Sequence, residues 1–317
     1  MMFRNSIRLL FSNFSMVWKI LLYQIITLLV TFSVATIFAM PLINTLKTEG
    51  FLTLLQTEYS NISMNFNLAS ILNSVYIVGE SFFSIISNNL STTLLSLILS
   101  GFVIIFVGGF LFGLSRLAMA EVIHGYMSSH ANYSFTGAYV RTFKKSVALQ
   151  FAMLVVNTPI NILIIYIIYK SFSLLTITTG IIDFLAPFLI ILIATILFSI
   201  NLTIFSGVIP AVTIHNCSVF KGYKLGYLAV KRRFFKTLST SIVLILAILS
   251  FNLFFFALTS GASFVITLPS SIFLLAIFPM VMYYGSMGMR YYVDPETILS
   301  TKKLEEQDKI SNTKFII

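Results

Sequence analysis

Charge is what this chain has least of. Only 9% of its 317 residues are Asp, Glu, Lys or Arg, where a soluble globular domain carries about 25%. A water-facing polar coat around a single soluble core is excluded. Cysteine occurs once, at Cys217, so the chain forms no internal disulfide, and three histidines with one cysteine are too few and too scattered for a metal cage. No nucleophile elbow, Walker motif, HExxH, CxxC or dinucleotide fingerprint occurs. No catalytic, cofactor-binding or metal residues are therefore expected, and the chain reads as a non-enzyme.

What is present is apolar: 58% of the residues are hydrophobic and 15% aromatic, with a mean hydropathy of +0.97. The apolar runs are continuous, unlike the ~10-residue alternating segments of a membrane barrel. The class is all-α, a polytopic membrane bundle. Charge-free runs predict six transmembrane helices, at about 20–43, 91–115, 147–169, 184–210, 238–258 and 272–292. The first run is long and ends without an A-x-A-like cleavage site, so it reads as a retained anchor. An outer segment, 44–90, carries two apolar patches, Phe51 to Leu55 and Ile71 to Ile86, expected as short surface helices. One membrane domain, 1–294, precedes a polar tail, 295–317.

The basic residues predict the threading. On the six-span layout 18 of the 20 fall on the side of the termini, and only Lys47 and Lys170 on the other. Such a split over short loops is the positive-inside pattern, with both termini cytoplasmic and the protein in a cell membrane. A net charge of +10 invites a nucleic-acid reading, but the cations sit at the ends of apolar runs, so no nucleic-acid partner is expected.

Three stretches, 3–15, 133–146 and 218–236, combine an apolar stripe at helical spacing with a basic flank, and are expected as amphipathic helices on the cytoplasmic interface. In the last, Phe220, Tyr223, Tyr227, Val230 and Phe234 share one face beside Lys221, Lys224, Lys231 and Arg232, with Arg233 and Lys236 following. Together with Arg141, Lys144 and Lys145 these cations are the candidate contacts for anionic headgroups of the inner leaflet. Membrane lipids are thus the expected partner, with another membrane protein or a transporter as a further candidate.

The stretches Gly207-Val-Ile-Pro210-Ala211, Phe220 to Lys236 and Phe135 to Lys145 carry a resemblance. Their layout of a small or proline-containing span end, a cytoplasmic amphipathic helix and the next span resembles the YesL-type and YciC-type bacterial membrane protein families. The resemblance covers the second to sixth spans and implies five or six spans and an accessory envelope role beside sugar-uptake systems. The outer segment departs from the shorter YesL-type layout.

A duplication runs through the same region: Ile123-His124 before Phe135-Thr-Gly137 parallels Ile214-His215 before Phe220-Lys-Gly222. Glu121 and His124 form an E-x-x-H pair at the inner end of the second span. It reads as an ion pair of Glu121 with Arg116 or a nearby cation, or as a proton-coupling site, since ionisable groups in a bundle are functional candidates. The second copy has no acid, which counts against a di-metal centre. Asn157, Pro159 and Asn161 interrupt the third span, and Asn201 and Pro210 mark the fourth; amides there are either interhelical glue or the lining of a path. Gly109-x-x-x-Gly113 permits close helix packing. Two functional readings stand: an accessory, lipid-interacting membrane protein, and a transporter of a small solute or lipid through the third and fourth spans. A polar cavity around Asn157, Asn161 and Asn201 favours the second, and a tightly packed bundle favours the first.

Overall fold

A computed structural model describes residues 2–64, 68–129, 131, 133–175, 181–259, 261–293 and 298–299. Twelve helices make up nearly all of them: α1 (Met2–Ser12), α2 (Ser15–Thr48), α3 (Phe51–Met64), α4 (Leu68–Asn88), α5 (Leu90–Phe102), α6 (Gly109–Ser129), α7 (Phe135–Leu175), α8 (Ile181–Phe205), α9 (Val208–Ile214), α10 (Val219–Lys231), α11 (Phe234–Thr259) and α12 (Phe264–Met287). A π-helical stretch, Val103–Gly108, joins α5 to α6 without a break. Charge-free runs fold this way because a backbone in lipid must satisfy its own N–H and C=O groups.

The helices are inside-out relative to a soluble bundle. Gln24, Thr27 and Thr31 on α2, Thr93, Ser96 and Ser100 on α5, and Thr195, Ser199 and Thr203 on α8 are buried. Ile25, Ile26, Leu28, Leu29 and Phe32, or Leu94, Leu95 and Ile98, point outward. Small and hydroxylated side chains let helices approach closely and bond across the interface, while lipid tails accept the large apolar ones. Ser96 donates to the Phe38 carbonyl (2.9 Å), Thr203 to Ser241 (3.1 Å) and Asn252 to Ser271 (2.9 Å). Seven helices are long and apolar enough to cross a membrane, one more than the sequence reading: α4, from Ala69 to Asn88, joins them. This is a polytopic membrane bundle in its composition and its packing.

The bundle is built around α12. In its apolar stretch 56% of residues are buried, against 6% in α11. It packs on α1, α2, α6, α9, α10 and α11. It begins at Phe264, eight residues before the expected start, with Pro269 and Pro279 inside it. The neighbouring helices bury the N–H-less turns that would otherwise face solvent.

At one end of the bundle α1 lies against α12, burying Met2, Asn5, Ser6 and Leu9. A short strand, β1 (Tyr291–Tyr292), pairs antiparallel with β2 (Ile298–Leu299) just after α12. Asn5 Nδ2 donates to the Tyr291 hydroxyl (2.9 Å) and Ser12 Oγ to the Val293 carbonyl (3.2 Å). The first helix and the segment after the last one therefore sit at the same end.

The three expected interfacial helices are redrawn. The stretch 133–146 is no separate helix: α7 runs unbroken for 41 residues from Phe135, through Pro159. The stretch 218–236 splits at Arg232–Arg233, with α10 before the turn and α11 after it. The stretch 3–15 ends at Ser12, and it buries Met2, Asn5, Ser6 and Leu9, with Phe3, Ile7 and Leu10 half-buried against Leu244, Leu274 and Phe278. At the other end of the bundle α3 and α4 pack as a hairpin whose α4 touches α2, α5 and α8. Ser74 donates to Glu58 (2.6 Å), and Phe83 meets Tyr169 of α7 at 6.0 Å. The remaining tail residues, 294–297 and 300–317, lie outside the described residues.

Candidate functional site

A cavity of about 600 Å³ opens inside the bundle. Five long helices wall it: α6 with Phe112 and Arg116, α7 with Asn157 and Asn161, α8 from Ile191 to Phe205, α11 with Ile245 to Leu249, and α12 with Ile272 to Pro279, with Ser206 in the turn after α8. The α8 wall alone covers about 21 Å at 1.5 Å per residue, more than the ~15 Å hydrocarbon depth of one leaflet. Most of the lining is Phe, Ile, Leu, Met and Ala. Its size lies within the ~300–1,000 Å³ of small-molecule sites.

The polar groups are few and specific. Asn201 Nδ2 donates to Asn161 Oδ1 (2.7 Å), tying α8 to α7. Asn157 Nδ2 makes only a long contact with Met153 Sδ (3.4 Å). Asn157 Oδ1, Asn201 Oδ1 and Thr195 Oγ1 are buried with no hydrogen-bond partner among the described residues. Leaving such an oxygen unmatched costs about 1–3 kcal/mol, so the bundle carries three uncompensated polar atoms on residues that line the cavity. The sequence reading named all three asparagines, and the fold brings them to one wall pair.

Among the described lining residues Arg116 is the one with an ionised side chain. It makes no hydrogen bond or ion pair with any described residue. Glu121 is expected to pair with Arg116 or with a nearby cation, and it is the second that the fold supplies. Glu121 Oε1 takes Arg141 Nη2 of α7 at 2.5 Å. Five residues at 100° each set positions 116 and 121 about 140° apart around α6, so the two side chains leave on different faces.

Helix registers give the depth of Arg116. The Tyr23 hydroxyl donates to the Leu111 carbonyl, and Gln150 Nε2 donates to the Gly109 carbonyl (2.9 Å). These antiparallel pairings place Arg116 near the level of Lys19 on α2 and of Lys144 and Lys145 on α7. Those lysines are exposed on the outside of the bundle. Arg116 alone turns inward, at the end of the cavity nearer α1.

The second E-x-x-H member lies outside the cavity. His124 Nδ1 shares a hydrogen bond with the Tyr284 hydroxyl (2.6 Å), and His215 Nε2 shares one with the Tyr283 hydroxyl (2.9 Å). The duplicated histidines thus grip adjacent tyrosines of α12. Sequence reasoning paired the histidines but missed their partners, although Tyr283-Tyr284 is a visible tandem. It also missed Thr195, Ser206 and the cavity role of Arg116. Among the described residues no three of His, Cys, Asp and Glu come together as a metal site.

The basic candidates divide. Arg141 is held by Glu121 and stacks over the Tyr133 ring at 5.4 Å, and Lys145 Nζ donates to the Asn216 carbonyl (3.2 Å). Lys144, Lys221, Lys224, Lys231, Arg232 and Lys236 are exposed, and Arg233 is half-buried. On α10 the buried face is not the aromatic stripe but Gly222, Gly226, Ala229 and Val230. Phe220 and Tyr227 face outward with the lysines, Tyr223 is half-buried, and Phe234 belongs to the next helix.

No family model, curated protein or solved structure matches the chain.

Proposed function

We propose that this protein is a non-enzymatic, lipid-handling protein of a cell membrane, whose cavity takes up an amphiphilic molecule as a carrier or transporter does. The observation that carries the reading is the cavity of about 600 Å³ gathering Asn157, Asn161 and Asn201. A scaffold needs no such space, and close packing of the bundle would fill it. A largely apolar wall with a few aimed polar groups fits a molecule with a chain and a polar end. No described lining residue is a His, Cys, Asp, Glu or Lys, which supports binding over chemistry.

The threading we propose has six crossings with both termini cytoplasmic. α1 and the strand just after α12 meet through Asn5 and Tyr291, which calls for an even number of crossings between them. α4 is then the helix that does not cross, and it lies over the outer ends of α2, α5 and α8. The exposed lysines and aromatics of α10 lie at the inner leaflet, where each cation is worth about 1 kcal/mol near anionic lipid.

The test is what the protein carries. Full-length protein released gently from membranes is analysed by native mass spectrometry, with Ala194→Trp and Ala276→Trp variants that fill the cavity. The wild type is expected to retain an amphiphile that both variants lose. An empty wild type that gains no stability from added lipid defeats the proposal.

A further inference from the structure

The lining holds a positive charge that no described residue balances. An arginine is always ionised in proteins, and an ionised group enclosed by apolar walls is costly unless it is paired. The two nearest ways out are closed. Glu121 is committed to Arg141, and no carboxylate is among the described lining residues. Snorkelling to the surface is the ordinary fate of a cation at this depth, and Lys19, Lys144 and Lys145 take it. Arg116 does not; its side chain ends in the cavity.

From this cation, its depth and the apolar shaft beyond it, we infer that the cavity selects an anionic amphiphile, whose carboxylate or phosphate head pairs with Arg116. Its hydrocarbon chain lies along Ile191, Phe198, Leu202, Ile248 and Leu275. The inference rests on the cavity being a binding site and adds the chemical class of what binds. The guanidinium fork presents two parallel N–H donors to two anionic oxygens, a geometry a lysine does not offer. The head sits at the level of the inner ring of lysines, where anionic headgroups reside. The chain then runs toward the membrane midplane past Asn157, Asn161 and Asn201. The shared chemistry is one anionic head on hydrocarbon, and its source is a free fatty acid or an anionic phospholipid.

The experiment is equilibrium binding of radiolabelled oleate to the purified full-length protein in a neutral detergent. Methyl oleate keeps the chain without the charge, acetate keeps the charge without the chain, and phosphatidylglycerol places the charge on two chains. Oleate is expected to bind saturably, methyl oleate to compete at least tenfold more weakly, and acetate not to compete. Arg116→Gln should weaken oleate at least tenfold while leaving methyl oleate unchanged, with Arg116→Lys between. The unchanged methyl oleate binding shows that the variant is folded. Whichever of oleate and phosphatidylglycerol displaces the other at lower concentration names the source, and either result supports an anionic head. Equal binding of oleate and methyl oleate, or wild-type oleate affinity in Arg116→Gln, overturns the inference and leaves the cavity reading intact. No saturable binding of either chain, with Ala276→Trp indistinguishable from wild type, defeats the cavity reading itself.

Discussion

At the scale of single residues, one buried polar contact ties α1 to the segment that follows α12. Asn5 donates to Tyr291, and burial pushes the Tyr291 phenol above its ordinary value while the Asn5 bond pulls it the other way. A raised folded value means that the fold prefers the neutral phenol. Its contribution is complete below the unfolded value of about 10 and is lost as pH climbs through the folded one. Asn5→Ala should cost about 1 kcal/mol at pH 8. Thermal unfolding of wild type should weaken above pH 10 more steeply than that of Tyr291→Phe; parallel curves would remove the phenol from the account. Residue-level reading of the sequence found the three cavity amides because polar groups stand out in apolar runs. It left the partner of Glu121 open between Arg116 and a nearby cation, because the choice turns on helix faces and on which side chain of α7 comes alongside.

Among elements, α10 shows how a helix is gripped by its smallest residues. At the junction of α8 and α9, Gly207 crosses Gly226 backbone to backbone. A Cβ at 207 would meet the Gly226 carbonyl oxygen at 2.3 Å, and a Cβ at 226 would meet the Gly207 carbonyl carbon at 2.6 Å. The obstacle is main chain and cannot rotate aside. Gly226→Ala should therefore cost at least the ~1–3 kcal/mol typical of overpacking, read as a lower melting temperature, whereas Gly137→Ala, whose Cβ would find only the Ser134 side chain at an ordinary 3.7 Å, should not. A hydrophobic-stripe reading of 218–236 looks for large side chains, so it misses a seam of Gly222, Gly226 and Ala229. The polar seams of α2, α5 and α8 were equally visible, with Ser and Thr recurring three or four residues apart. In lipid the buried face is the small and polar one, and a period read from large apolar residues marks the outside.

For the molecule as a whole, the apolar runs told to within one how many described helices are long and apolar enough to cross a membrane, because hydrophobic length answers to bilayer thickness. They did not tell whether α4 crosses, since composition is silent about which ends meet. Labelling settles it. On a Cys217→Ser background, single cysteines replace Ser60, Lys170 and Lys224, and intact cells receive an impermeant maleimide. Positions 60 and 170 should label and 224 should not; outside labelling at 224 would reverse the threading.

The most enclosed helix, α12, also leaves the ribosome after every other described helix. Chains emerge and insert from the N-terminus onward, so α2 to α11 reach the bilayer while the place of α12 is still vacant. Until it arrives, Met119, Tyr126 and Leu244 have no α12 side chains to close over them, and His124 and His215 have no tyrosines to hold. Biogenesis of this protein is thus a matter of keeping a half-built ring from collapsing or being degraded, and its final step is the entry of the axle.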